Sequence, residues 1–369
     1  MSKENVDSLE NLRAEIDQID QQLQLLLNQR ADCAQRVASV KLRDLDPKQS
    51  NASLFYRPER EAQVLRKVIE RNEGPLDGKD VARIFREVMS VCLALEKPMD
   101  VAYLGPAGTF TQAAALKHFG HAVLTHPVAN ISAVFDSVEK KVCDYGVVPV
   151  ENSTEGMVTH TLHNFINSSL KICGELVLPI VLHLLIKPSA DPAKITKICA
   201  HQQAIAQSRQ WLQQNYPQIE LISVSSNGEA AKMAAADDSI AAIAGELAAE
   251  HYDLVHMASN IQDYADNTTR FLVVAPDEVP ASGDDKTSLV VSTRNVPGAL
   301  FKLLAPLEEE GISLTRIETR PSRTENWAYV FFMEFHGHHN DEAVQRVIRS
   351  ISEQSSFVKV LGSYPAAVI

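Results

Sequence analysis

Between Leu9 and Val40 the chain carries an apolar side chain at every third or fourth residue without a slip. The series is Leu9, Leu12, Ile16, Ile19, Leu23, Leu26, then Arg30, then Cys33, Val37 and Val40. Alternating steps of three and four define the heptad seam of a packed helix. A helix of this extent is roughly 50 Å long. A monomeric domain of ordinary size does not bury such a rod, so the spacing predicts pairing with a second copy of the chain. Arg30 is the one charged position in the seam. A buried cation there is costly unless something partners it. Snorkelling to the surface, an acid on a partner helix, or a bound anion would each meet that need. The neighbours favour the anion. Lys41 follows by eleven residues, nearly the same helix face, and Arg60 and Glu61 open the next helix. Glu96 lies on an apolar stripe with Phe85 and Cys92. Arg13 points about 100° away from Arg30, toward a site shared with another protomer. Guanidinium groups grip carboxylates with two prongs, so such an interior suits a small dicarboxylate.

The 369 residues divide into three. Residues 1–97 read as all helix: after the long helix and a loop at "LDPKQSNASLF" come "RPEREAQVLRKVIERNEG" and "GKDVARIFREVMSVCLALEKP". Pro58 suits a first helical turn, and Gly74 suits a stop. Residues 99–277 alternate apolar runs ("VAYLG", "YGVVPV", "ITKICA", "IELISV", "SIAAIA", "RFLVVA") with amphipathic stretches. That pattern predicts two α/β lobes with largely parallel sheets and a cleft between them. A polar linker, "DEVPASGDD", precedes residues 286–369, whose strand and helix order is the ferredoxin-like βαββαβ arrangement.

Composition narrows the partners. A net charge of −12 argues against nucleic acid, whose phosphates reward clustered Lys and Arg. The chain has no apolar run of about 18 residues and no signal-peptide stretch in "MSKENVDSLENLR", so a cytoplasmic protein without a membrane span is expected. Five scattered cysteines without a CxxC pair suit reduced thiols. "HGHHN" reads as a polar loop and "HTLHNF" as an exposed helix face, and no metal or cofactor is expected.

Three motifs of the middle region point to a cleft. "LGPAGTF" is a tight loop between strand and helix, where backbone N–H groups can meet an anion. "PVENSTEG" sets Glu151 to Glu155 after an apolar strand, more polar residues than helix capping uses. "NTTRFL" puts Thr268, Thr269 and Arg270 at a strand start. Each alone is compatible with a surface; together they make a plausible cleft constellation.

The motifs also carry a resemblance. "LRAEIDQIDQQLQLLLNQRADCAQRVASVK" with "RPEREAQVL" resembles the all-helical chorismate mutase domain. "YLGPAGTFTQAAA", "VVPVENSTEG" and "NTTRF" resemble prephenate dehydratase, a two-lobed fold like periplasmic binding proteins. "PGALFKLLAPLEEEGISLTRIETRP" resembles a phenylalanine-binding ACT domain. In this order they match the bifunctional chorismate mutase–prephenate dehydratase family over nearly the whole chain.

The resemblance implies an intertwined homodimer, or a higher oligomer, acting on chorismate and prephenate and inhibited by L-phenylalanine. In the mutase, Arg13 of the partner protomer, Arg30 and Arg60 would hold carboxylates, Lys41 the ether oxygen and a carboxylate, and Glu61 the ring hydroxyl. Arg57 stands where the family often has an aspartate, Cys92 where a serine is common, and Glu96 where a glutamine donates to the ether oxygen. Glu96 must be protonated to take that part. In the dehydratase, Thr269 would protonate the departing hydroxyl and Arg270 would anchor a carboxylate. Asn152, Ser153 and Thr268 would fix the rest. "AHQQAIAQS" departs from the usual pattern, leaving His201 either a cleft residue or a structural histidine. Pro297, Gly298, Ala299 and Leu300, with Glu318, Thr319, Arg320 and Pro321, would bind phenylalanine. Two other readings stay open here: a monofunctional dehydratase with a decayed mutase arm, and a non-catalytic amino-acid-sensing regulator.

Overall fold

A computed structural model describes residues 8–43, 55–293, 296–321 and 329–369; most of the expected loop at 45–55 lies outside them. Helix α1 spans Leu9–Arg43, and Ser8 Oγ accepts from the Asn11 N–H (3.2 Å) at its start. Helix α2 is Pro58–Glu70, with proline in its first turn, and α3 is Gly78–Ala94, capped by Asp77. The second helix ends four residues short of Gly74, because the Arg71 N–H closes on Lys67 O and the Asn72 amide donates to Leu76 O (2.7 Å). Leu65, Val68 and Ala82 seal α2 to α3, and Val368 and Ile369 join that cluster from the far end of the chain.

Lobe 1 contains β1 (Asp100–Leu104), α4 (Phe110–Phe119), β2 (Leu124–Val128), α5 (Ile131–Glu139), β3 (Tyr145–Asn152), β4 (Gly156–Met157), α6 (Thr159–Asn167) and β5 (Lys171–Pro179). The chain then crosses to lobe 2. This holds β6 (His183–Ile186), β7 (Lys197–His201), α7 (Gln202–Gln207), α8 (Arg209–Asn215) and β8 (Glu220–Val224). It continues with α9 (Asn227–Ala236), β9 (Ile240–Ala244), α10 (Glu246–His251) and β10 (Val255–Ala258). Strand β11 (Thr268–Ala275) returns to lobe 1. The two crossings run side by side, with the Ile180 N–H donating to Asn267 O and the Ile261 N–H to Leu182 O, both at 2.8 Å.

The sheet orders are β2-β1-β3-β11-β5 and β10-β6-β9-β7-β8. Both sheets are mixed, which corrects the expectation of largely parallel sheets. β1 pairs with β2 and β3 in parallel, and β7 with β8 and β9, but β11 runs antiparallel to both β3 and β5. A strand that re-enters a lobe from its neighbour arrives from the opposite direction, and β11 inserts in this sense.

The last unit is β12 (Asp285–Thr293), α11 (Ala299–Glu309), β13 (Leu314–Pro321), β14 (Tyr329–His336), α12 (Glu342–Gln354) and β15 (Phe357–Pro365), with the fully antiparallel order β13-β14-β12-β15. Its helices cover one sheet face. The other face packs on lobe 1, where Val290, Phe332, Leu361 and Tyr364 share a core with Leu162, Phe165 and Ile172.

Helix α1 is the exception to this burial. Leu9, Ile16, Leu23 and Leu26 are 65, 56, 52 and 59% exposed. Only its last third gains cover: Ala38 is buried, and Arg30 and Lys41 are half-buried. Among the described residues no helix is long and apolar enough to cross a membrane.

Candidate functional sites

The first cluster forms where the end of α1 meets the end of α3. Arg30 and Lys41 both act on Glu96 as neighbouring positive charges. One carboxylate oxygen of Glu96, Oε2, is buried without a hydrogen-bond partner. Burial raises the Glu96 pKa, and Lys41 and Arg30 oppose the rise without cancelling it. Burial lowers the Lys41 pKa, against the pull of Glu96. Its ammonium donates to Phe55 O (3.4 Å). Arg13 and Arg60 are exposed, and Cys92 is buried. Arg57 is exposed and turns onto Glu59 (Nε to Oε1, 2.5 Å).

Glu61 is not brought to this cluster. Its Oε1 accepts from Arg86 Nε (3.1 Å), and Arg86 Nη1 also donates to Lys117 O (3.1 Å) across the boundary with lobe 1. Tyr56 hydrogen-bonds both Glu61 and His118 Nε2. Burial pushes the His118 pKa down to about 3, with Arg86 adding to the effect, so the ring is neutral. In the single chain, Glu61 therefore belongs to a junction between helices and lobe, because α2 turns its first residues toward lobe 1.

The second site lies where the carboxyl edges of the two sheets face each other, the usual ligand position in such folds. Loop 105–109 follows β1, Asn152 ends β3 with Ser153 to Glu155 after it, and Thr268 and Thr269 begin β11 on the same edge. From lobe 2 come His201, Ser225, Ser226 and Asn227. With Gly105, Pro106 and Thr109 they line a cleft of about 540 Å³, and the lining does not extend to Asn152 or Thr269. Its described lining includes no lysine or arginine. The amino ends of α4 and α9 open into it, where a helix dipole favours an anion, and Glu229 lines it as well. At Gly228 a Cβ would stand 2.5 Å from Ala107 O, so glycine is what lets α9 approach the loop so closely.

Within this edge Asn152 is fully engaged. Its amide donates to Thr269 Oγ1 (2.8 Å) and Asn267 Oδ1 (3.2 Å), and its Oδ1 accepts from the Thr154 and Glu155 N–H groups (3.0 and 3.1 Å). Thr269 Oγ1 thus receives a hydrogen bond and keeps its own proton to donate. Ser153 Oγ accepts from the Thr268 N–H (3.0 Å). His201 caps α7, its Nδ1 accepting from the Gln203 N–H (3.3 Å), so Nε2 carries the ring proton. It both supports structure and lines the cleft.

Arg270 is the correction. Strand neighbours point to opposite faces, so with Thr269 turned to Asn152 the guanidinium enters the interface with the βαββαβ unit. It donates from Nε (2.8 Å) and Nη2 (2.6 Å) to Glu175 Oε2, and from Nη2 to Glu334 Oε2 and Tyr364 Oη. Burial opposes its charge, but Tyr364, Glu175 and Glu334 outweigh that and raise its pKa. Burial likewise opposes ionisation of Glu334, yet Arg270 and Lys286 hold its pKa below the ordinary carboxylate range. Arg270 is therefore not free to grip a substrate carboxylate. Glu175 and Glu334 each stand alone in an apolar strand run, the same signal as Arg30, and neither is among the residues expected from the sequence.

In the βαββαβ unit, Gly298 has φ +79°, the left-handed region, at the start of α11. Leu300 and Phe301 beside it are exposed. On β13, Arg320 Nη2 pairs with Glu318 Oε1 (3.0 Å), and Arg320 Nε is buried without a partner. Thr319 and Pro321 are exposed, and Pro297 and Ala299 flank Gly298. His338, from "HGHHN", is structural: its Nε2 bonds Val279 O (2.9 Å). His183, Glu246 and His256 also converge. His183 Nδ1 accepts from the Asn260 N–H (3.3 Å), its Nε2 lies 3.6 Å from Glu246 Oε2, and His256 Nε2 lies 3.0 Å from the same oxygen.

The comparisons agree with this division. Residues 12–97 match the chorismate mutase type II family, 101–279 prephenate dehydratase, and 287–353 the ACT domain. The sequence is 53% identical over 363 residues to a bifunctional chorismate mutase/prephenate dehydratase of Pseudomonas aeruginosa, covering 98% of this chain and 99% of that one. It is 48% identical to the protein of that description from Neisseria gonorrhoeae, over 97% of each. Among solved structures, the prephenate dehydratase of Arthrobacter aurescens in complex with L-Phe superposes with a TM-score of 0.67 at 33% identity, covering 73% of this chain and 90% of that one.

Proposed function

The chain belongs to the family of bifunctional chorismate mutase–prephenate dehydratases that carry an ACT domain, and from that premise we propose how its residues divide the work. It rearranges chorismate to prephenate and converts prephenate to phenylpyruvate, within phenylalanine biosynthesis. The mutase occupies residues 1–97, the dehydratase 99–277 and the ACT domain 286–369.

The mutase works as a dimer whose α1 helices pair along the bare seam. Arg30, Lys41 and Arg60, with Arg13 of the second copy, hold the dicarboxylate in its folded conformer. The rearrangement is pericyclic, so no nucleophile is needed; positive charge at the breaking C–O bond lowers the barrier. Protonated Glu96 donates to the ether oxygen. The raised pKa of this half-buried acid supports that part.

In the dehydratase, prephenate lies in the interlobe cleft with its carboxylates at helix amino ends. The C–CO₂ bond breaks, its electron pair enters the ring, and the ring hydroxyl leaves with a proton from Thr269, giving phenylpyruvate, carbon dioxide and water. Solvent then returns a proton to Thr269. Aromatisation drives the step, so a neutral donor suffices. The observation that carries this reading is the Asn152 amide held 2.8 Å from Thr269 Oγ1, which aims the hydroxyl proton away from its own scaffold. L-Phenylalanine binds between two ACT domains at Gly298 and residues 318–321, and inhibits. The exposed Leu300 and Phe301 and the L-Phe complex of the Arthrobacter relative support this.

The test is chorismate consumption and phenylpyruvate formation by the purified chain, with prephenate as a parallel substrate. Phenylpyruvate is expected from both. Consumption of prephenate alone would make the helical arm a dimerisation device.

A further inference from the structure

The two lobes of the dehydratase are joined by two crossing segments, between β5 and β6 and between β10 and β11. Covalent structure alone therefore does not set how far apart they stand. That distance matters because the described lining of the cleft holds no lysine or arginine. A long guanidinium side chain can reach for an anion, whereas the pull of a helix amino end fades within its first turn. The amino ends of α4 and α9 belong to different lobes, so they serve one ligand only when the lobes are in register.

A joint in the structure sets this register. Residues 107–110 of lobe 1 meet α9, α10 and the residue before α10 through three close contacts, each with a glycine on one side. Gly228 meets Ala107 O. At Gly108 (φ +77°) a Cβ would stand 2.9 Å from Ala248 Cα, and at Gly245 one would stand 2.8 Å from Phe110 Cε1. The Phe110 ring, at the start of α4, thus reaches across and packs against the lobe 2 core that includes Leu182, Leu184 and Ile243.

Tyr252, which ends α10, adds a polar bond, its Oη donating to Ala107 O (3.3 Å). The same peptide is held from the other side. The Gly108 N–H donates to Gln112 Oε1 (2.7 Å), and Gln112 Nε2 donates to Thr125 Oγ1 (3.2 Å). Gln112 and Thr125 belong to the same lobe as the loop, so their hold is independent of lobe 2. Tyr252 reaches Ala107 only when the lobes meet. It is not part of the cleft lining, so it acts through the loop.

We propose that Tyr252 is a positioning residue for prephenate: it latches loop 105–109 to lobe 2, and the Phe110–Gly245 contact sets the separation at which the latch closes. This rests on prephenate lying in the interlobe cleft. The latch favours the engaged lobes before and during the reaction alike, so it contributes to binding and leaves the chemical step unchanged.

The experiment uses the full chain and five proteins: the parent, Tyr252→Phe, Gly245→Ala, Gly245→Ala with Phe110→Leu, and Ala129→Asp. Tyr252→Phe should raise the KM for prephenate about 2- to 10-fold, the worth of one hydrogen bond, at unchanged kcat. Gly245→Ala drives a methyl group against Phe110, and kcat/KM should fall about 10- to 100-fold, the scale of overpacking. Phe110→Leu in the same chain should recover most of that loss, because the two positions are in contact. Mutase turnover on chorismate should stay parental in the Tyr252 and Gly245 proteins, which also reports that they fold. Ala129→Asp sets a negative charge on the cleft wall and should raise the KM for prephenate. With that rise present, an unchanged KM in Tyr252→Phe, or a fall in its kcat instead, overturns the proposal alone. A double variant no faster than Gly245→Ala, or a loss shared by the mutase, also overturns it. An unmoved KM in Ala129→Asp removes the cleft reading and this proposal with it.

Discussion

Helix α1 and strands β3 and β11 are patterned with comparable amounts of apolar side chain, yet they end in opposite states. Val147, Val148, Phe271 and Val273 are at most 3% exposed, while Leu12, Ile19 and Val37 of α1 are 40, 48 and 50% exposed. The strands find their neighbours within one chain, because two crossings bring β11 back between β3 and β5. The helix is longer than anything its own chain sets beside it. Apolar area is worth about 25 cal/mol per Å² when removed from water, and on α1 most of that gain awaits another surface. The strands of the dehydratase thus find their core within the folded chain, whereas the apolar seam of α1 does not.

The largest test of this contrast is at the seam. Leu23→Asp with Leu26→Asp should leave a monomer whose mutase rate falls about a thousandfold, since it loses more than one charge-stabilising group, including Arg13 of the second copy. Dehydration of prephenate should persist. Sedimentation alongside the two assays decides it; a monomer with an active mutase erases the contrast. On the other side, Asn152→Ala should lower dehydratase kcat about tenfold or more by releasing Thr269, at any protein concentration. A loss reversed by raising the protein concentration would show that the dehydratase, too, depends on assembly.

A smaller effect separates the two sites by pH. Burial raises the Glu96 pKa, and with the protonated acid as the proposed donor, mutase kcat should be full below that pKa. It should fall at most about tenfold per pH unit as pH rises through it. Glu96→Gln should flatten the mutase profile and leave the dehydratase profile untouched; superimposable mutase profiles remove Glu96 from the reaction. The smallest effect is expected at Gly298. Alanine there meets nothing within 4 Å but must hold φ near +79°, costing about 1 kcal/mol. Calorimetry should register a slightly lower Tm, and titration a weaker hold on phenylalanine; unchanged values of both would mean the loop relaxes freely.

Much of this was legible in the residues. The three-and-four spacing from Leu9 to Val40 marked the long helix and its apolar face, because a helix's face follows from spacing alone. The order of apolar runs, Pro58 at a helix start and the polar cluster after "YGVVPV" depended equally on local chemistry. The mixed sheets were not legible, since strand direction is set by where a crossing re-enters.

The side-chain partnerships show the same boundary. Alternation along "TTRF" dictates that Thr269 and Arg270 face opposite ways, and that much is a property of the sequence. Which of the two meets Asn152 on β3 and which meets the ACT sheet, 64 residues farther on at Glu334, depends on how β11 is seated. Glu61 likewise reads as a mutase ligand by its motif, and its link to Arg86 exists only because α2 and α3 dock on lobe 1. Local patterns specify periodicity, capping and face, because those interactions act over a few residues. Charge pairing at the domain junctions was decided by tertiary structure, since a buried ion takes whatever opposite charge the packing brings within a few ångströms.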